Sequence, residues 1–278
     1  MAWGILPIFW KALAEVPVLE ATAHRVFWLL IVLIPILLYR GSLRTFFHAL
    51  RQPKALAVHA FAACCLCGNW IVYIWAATNG QVIEAALGYY LTPFCYIVIG
   101  RIYYREKQNR LQTRAIALAG LGVLLLFVNA SHFPWVSLFL AASFTGYGLA
   151  RKNSTLGSLS GLALEAALVL PLALGYLIFL QIQGLGHFGQ SPGLTALLCC
   201  TGLITAIPLL LFGYGTQRIA LSLLGIFQFI NPTIQFLLGW LLYGEELPLL
   251  RLISFILIWI AVITYIISLK KNPAKMTP

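Results

Sequence analysis

Residues 92–106 read TPFCYIVIGRIYYRE, and residues 231–245 read NPTIQFLLGWLLYGE. Laid over one another without a gap, they place Pro93 on Pro232, Gly100 on Gly239, Tyr104 on Tyr243 and Glu106 on Glu245, all 139 residues apart. That offset is half of the 278-residue chain, so the sequence reads as an internal duplication. Each copy also carries a proline inside an apolar run, where the ring removes one backbone N–H and leaves a carbonyl without its helical partner.

Outward from these copies the chain is a series of apolar runs. Hydrophobic residues make up 61% and charged residues 9%, whereas soluble domains carry about 25% charged residues. Mean hydropathy is +0.92. Runs of about 20 apolar residues match a hydrocarbon layer about 30 Å thick, so the expected fold class is an all-α integral membrane protein. Ten segments are expected: the start to Leu13, then Thr22–Tyr39, Ala55–Thr78, Ile83–Tyr104, Leu111–Val128, Phe133–Ala150, Gly161–Leu180, Leu194–Tyr214, Ala220–Tyr243 and Leu249–Leu269. From Trp3 to Leu13 the first segment covers only about 17 Å, so it reads as a shortened helix, with residues missing upstream as the preferred explanation.

Lysine and arginine alternate between loops. Arg40, Arg44, Arg51 and Lys54 fall between the second and third segments, Arg101 to Arg114 between the fourth and fifth, and Arg151 and Lys152 between the sixth and seventh. Lys270, Lys271 and Lys275 mark the tail, while the loops at 79–82, 129–132 and 181–192 hold neither residue. The positive-inside bias then puts both termini in the cytoplasm and explains the net charge of +11 without nucleic acid as a partner. Five segments per half is an odd number, so the second copy should lie inverted relative to the first. The expected organisation is a five-helix repeat over 1–130, a second, inverted repeat over 131–270, and a cytoplasmic tail over 271–278. Inverted repeats are typical of secondary transporters, whose site lies near the midplane.

Candidate site residues follow from polarity inside apolar runs. Gln228, Asn231 and Gln235 form one amide stripe beside Pro232, and Tyr89, Tyr90 and Thr92 flank Pro93. Asn69, Trp70 and Tyr73 interleave amide and aromatic groups in the third segment. These are expected to contact substrate, with Pro93 and Pro232 as hinges. His24 and Arg25 enter an apolar helix, and Arg25 could pair with Glu84 or hold an anionic group at an external gate. Glu84 and Glu165 are the expected coupling carboxylates, although a structural hydrogen bond is an open alternative for Glu165. Glu15 and Glu20 read as solvated loop residues. The six cysteines fall inside apolar runs and read as small hydrophobes.

Taken as an ordered set, Trp3-Gly4, Pro7, Lys11, His24-Arg25-Val26, Gly68-Asn69-Trp70, Glu84-Ala85, Leu87-Gly88-Tyr89, Pro93, Leu224-Gly225, Phe227-Gln228, Pro232-Thr233 and Tyr243-Gly244-Glu245 resemble the RarD family. The resemblance covers nearly the whole chain. It implies a bacterial inner-membrane permease of the drug/metabolite transporter superfamily, with two EamA-type halves and ten spans. Members are often labelled chloramphenicol-sensitivity proteins.

The expected function is therefore secondary transport of small organic solutes or drugs by alternating access. A passive channel or facilitator is the alternative. A membrane-embedded enzyme is a weaker one, because HExxH, GxSxG and P-loop motifs are absent and the chain has no aspartate. No cofactor or metal is expected. The expected partners are the lipid bilayer and a small-molecule substrate, with a proton and a second copy of the chain left open.

Overall fold

The computed structural model describes residues 2–78, 82–128, 133–243 and 249–270; the side chains of Glu84, Gln235, Tyr243 and Lys270 lie outside the described set. Twelve helices and no strand occur among the described residues: α1 Ala2–Lys11, α2 Val18–Tyr39, α3 Leu43–Ala49, α4 Pro53–Thr78, α5 Val82–Ile102, α6 Arg110–Val128, α7 Trp135–Lys152, α8 Ser158–Ile182, α9 Pro192–Thr216, α10 Leu221–Gln228, α11 Ile230–Tyr243 and α12 Leu249–Lys270. Five of them are long and apolar enough to cross a membrane: α2, α4, α8, α9 and α12. Many outward-facing side chains are apolar too, among them Ile31, Ile34 and Leu38 on α2, Leu172 and Ile178 on α8, and Ile256, Ile260 and Ile263 on α12. A solvent of lipid tolerates such a surface, whereas water does not.

Ten segments were expected and twelve helices are found, for two local reasons. The basic loop after α2 winds into the short helix α3, whose Phe46 and Ala49 are buried, and α3 packs on α8. The ninth segment is divided at Phe229 into α10 and α11. Counting α3 as a surface helix and α10–α11 as one span restores ten.

Chain chemistry fixes several helix starts. Pro192 follows Ser191, whose Oγ accepts Leu194 N–H at 3.2 Å, so α9 begins with a hydroxyl cap and a proline in the first turn. Asn109 and Gln112 cap α6 reciprocally, each side-chain oxygen accepting the other's backbone N–H at 2.8 Å. One helix start also repeats: Pro53 and Pro192, 139 residues apart, open α4 and α9.

The chain forms two compact units. The first holds residues 1–7, 76–145 and 218–278, hence α5, α6, α10, α11, α12 and the first part of α7. Its interior joins Tyr90 and Ile97 of α5, Ala115, Ala119 and Val123 of α6, Leu223 and Ile226 of α10, and Phe255, Ile258 and Ala261 of α12. Small residues bring α6 close to α12: a Cβ on Gly122 would meet Ser254 O and Ile258 Cγ1 at 2.9 Å. Lipid tails are as apolar as leucine, so close packing of this kind holds membrane helices together.

The second unit holds residues 8–75 and 146–217, hence α2, α3, α8, α9, nearly all of α4 and the last turns of α7. Here α2 packs on both α8 and α9. Gly202 of α9 lies against the α2 backbone at Trp28, where a Cβ would clash with Trp28 C and O. Each unit thus draws helices from both halves of the sequence. Within the units, α5 packs on α10, α6 on α12 and α2 on α8.

Candidate functional site

In the first unit the two prolines behave differently. α5 runs through Pro93 without a break, and Thr92 Oγ1 donates to Gly88 O at 3.0 Å. At the equivalent place before Pro232 the helix is interrupted at Phe229, whose φ of −61° and ψ of −21° stay helical. Pro232 has no N–H to offer the carbonyl of Gln228, four residues back. Gln228 closes α10 and Asn231 lies in the first turn of α11, both half-buried. Gln228 Nε2 and Asn231 Oδ1 are buried atoms with no hydrogen-bond partner. A donor and an acceptor are thus left over at one helix break. Tyr90 is buried edge-on against Phe255, 5.2 Å between ring centroids, and Tyr89 is half-buried. Gln235 falls outside the described side chains.

The start of α10 is held from elsewhere. Its N-cap is Ala220, which has no capping side chain. Glu106, in the loop after α5, accepts Leu221 N–H at 2.5 Å and Ser222 N–H at 2.9 Å. A carboxylate is well suited to these orphan amides at the positive end of a helix. Gln108 Nε2 donates to Ser222 Oγ at 3.0 Å. Eight-residue α10 is therefore fixed at one end and broken at the other.

The second unit gathers the ionisable groups. Arg25 is 7% exposed, with its guanidinium carbon 3.9 Å from the Trp70 ring centroid and 4.5 Å from that of Trp10. Its Nε donates to Thr205 Oγ1 at 3.2 Å. Guanidinium and indole faces attract through charge and quadrupole, so Arg25 is held by its faces rather than snorkelling outward. Asn69 is buried and Tyr73 half-buried on the same helix as Trp70. The expected Arg25–Glu84 pairing lies outside the described side chains.

Glu20 is not a solvated loop residue. It lies in the first turn of α2, 1% exposed, and accepts His187 N–H at 2.6 Å and a bond from His187 Nδ1 at 2.7 Å. The loop carrying His187 turns at Gly184 (φ +69°) and Gly189 (φ +89°), a conformation glycine adopts without strain. His24 is buried one turn from Glu20, and its ring stacks on Phe188 at 5.4 Å.

Glu165 is buried in α8, 3% exposed, and accepts three donors. Arg151 Nη1 lies 3.0 Å and His59 Nδ1 2.8 Å from Oε1, and Tyr147 donates to Oε2 at 3.3 Å. Arg151 Nη2 donates to Ser158 O at 2.8 Å, and His59 Nε2 lies 2.8 Å from Ser154 Oγ. Gly161, one turn before Glu165, leaves the room this needs, because a Cβ there would overlap Arg151 Nη1 and lie 2.6 Å from His59 Cε1. Arg151, expected among the basic loop residues, is fully buried. Ser154, His59 and Glu165 stand in the order nucleophile, base and orienting carboxylate. The serine oxygen, however, also accepts Leu156 N–H at 3.0 Å within its own turn, and Arg151 neutralises the carboxylate. Among the described residues no group of three or more His, Cys or Glu side chains could hold a metal ion.

Sequence reading missed His59, Arg151, Tyr147 and the cap by Glu106. For His59 a signal was present: a histidine in an apolar run carries the same functional presumption as Glu165. Arg151 and Tyr147 meet Glu165 only across the turn from α7 to α8, and Glu106 and Leu221 are 115 residues apart.

Residues 1–128 match the EamA-like transporter family. The chain is 40% identical over 262 residues to protein RarD of Streptomyces exfoliatus, covering 94% of this chain and 83% of that protein. It is 38% identical over 270 residues to the uncharacterized transporter YojE of Bacillus subtilis, covering 96% and 90%. One solved crystal structure, 19% identical, superposes with a TM-score of 0.71 over 97% of this chain and 95% of that one, which establishes a shared fold. By these relatives the chain is a multi-pass membrane protein of transporter type, and it belongs to the RarD family of EamA-like transporters.

Proposed function

We propose that the protein is a secondary transporter of small organic solutes, working by alternating access, and not an enzyme. The observation that carries this reading is the break between α10 and α11. There Gln228 Nε2 and Asn231 Oδ1 are buried without protein partners. Unpaired polar atoms at membrane depth cost several kcal/mol in hydrocarbon. Broken helices of transporters tolerate them because substrate or water supplies the missing bonds. The solute site lies along α5, α10 and α11, with Gln228, Asn231, Tyr89 and Tyr90 as contacts. The 139-residue duplication and the odd number of segments per half support reading the two halves as inverted repeats. The protein resides in a bacterial plasma membrane with its basic loops toward the cytoplasm.

Glu165 anchors α4, α7 and α8 in this account, because three donors already bind it. The test takes Gln228→Ala with Asn231→Ala. A thermal-shift panel of amino acids, nucleosides and amphenicols is run on the wild type, and the strongest solute is then titrated against the double variant. Its affinity should fall about tenfold or more, since each lost hydrogen bond is worth about 0.5–1.5 kcal/mol. Unchanged affinity in a folded double variant removes the site from this break.

A further inference from the structure

His59 uses both ring nitrogens, one toward Glu165 and one toward Ser154, each at 2.8 Å. The Ser154 hydroxyl has two acceptors in reach. It can donate to His59 Nε2, or to Leu156 O at 3.4 Å, while its oxygen accepts Leu156 N–H in either case. With a neutral ring, Nδ1–H donates to Glu165 and Ser154 donates to Nε2. With a protonated ring, Nε2–H donates to Ser154, whose own hydrogen turns to Leu156 O. No hydrogen bond to Glu165 or Arg151 changes between the two states. His59 and Ser154 therefore keep partners in both protonation states, while Arg151 Nε lacks one in either; the set is notable because each unpaired buried group is costly.

Charge fits the same reading. Arg151 balances Glu165, so a neutral His59 leaves the cluster neutral, and an imidazolium adds one positive charge beside a carboxylate already bonded to it. The groups facing His59 are Glu165 of α8, Tyr147 and Arg151 of α7, and Ser154 of the α7–α8 loop. Cys67 lies two turns further along α4. Lys152 is turned away to Thr216 O at 3.2 Å, and Arg44 and His48 of α3 are exposed. His59 is fully buried but Ser154 is only half-buried, in a loop preceded by Arg151 and Lys152.

We infer that His59 is a proton-exchange site, loaded through Ser154 from the basic end of the bundle. A proton arriving there is taken by His59 Nε2 as the Ser154 hydroxyl rotates, and it leaves by the reverse movement. Proton exchange stands independently of the transport reading; only its use in coupling rests on that reading.

The experiment is a pH titration of the full chain in detergent micelles, with the five histidines labelled with 15N and followed by NMR. The His59 signal is the one lost in His59→Asn or, should that variant not fold, the one displaced in Ser154→Ala. Expected is a joint change of its two ring nitrogens from the neutral to the imidazolium pattern as the pH is lowered. Ser154→Ala should reduce the protonated fraction at a given pH several-fold, because the imidazolium loses a charge-assisted bond and the neutral ring a weaker one. Ring shifts that stay constant as the pH is lowered on the folded protein overturn the inference, as does a protonation change that Ser154→Ala leaves in place. No transport enters this readout, so its failure is distinct from failure of the carrier reading.

Discussion

Arg151 and Arg25 are buried in the same compact unit, yet they are held in different ways. Arg151 is gripped at its edge, with Nη1 on the Glu165 carboxylate and Nη2 on the Ser158 carbonyl. Arg25 is gripped by its faces, between the indoles of Trp10 and Trp70. The first arrangement depends on one full opposite charge. The support described for the second includes two indole quadrupoles and the Thr205 hydroxyl. Cost on perturbation should therefore differ, and the difference separates a carboxylate-paired arginine from one stacked between indoles.

The largest effect is expected at the anchor. Glu165→Gln keeps the shape of the side chain but strands the buried Arg151 charge, and removing one partner of a buried pair costs about 3–5 kcal/mol. Thermal unfolding in detergent should show a large fall in Tm; a wild-type Tm would mean that Arg151 does not need its carboxylate. A smaller effect is expected at the indoles. Trp70→Leu keeps apolar bulk and removes one quadrupole face, for a loss of about 2 kcal/mol or less, the range of a desolvated cation–π contact. If Trp70→Leu destabilises as much as Glu165→Gln, the distinction between the two arginines fails.

Much of the fold was legible because its signals are local. Apolar runs and basic loops gave the helices, and the 139-residue offset read from Pro93 and Pro232 recurs between Pro53 and Pro192 at the starts of α4 and α9. The first four residues of α2 were missed because Pro17 and Glu20 looked like loop chemistry, whereas Glu20 is buried against His187. The two prolines read alike in the sequence, yet the helix is interrupted at Phe229 before Pro232 and stays continuous through Pro93. The site was less legible. Arg25 and Trp70 were each singled out, yet nothing local says that a residue of α2 stacks on one of α4. His59 and Glu165 are 106 residues apart, and only the tertiary fold brings these residues of α4 and α8 to 2.8 Å.

The central claim, an alternating-access carrier, is tested most directly by counterflow in proteoliposomes. Vesicles holding the purified full chain are preloaded with the panel solute that stabilises it most, then diluted into trace labelled solute. The account predicts a transient, saturable accumulation of label driven by the outward flow of unlabelled solute. Label that only equilibrates, at a rate proportional to concentration without saturation, would contradict it and identify a passive channel.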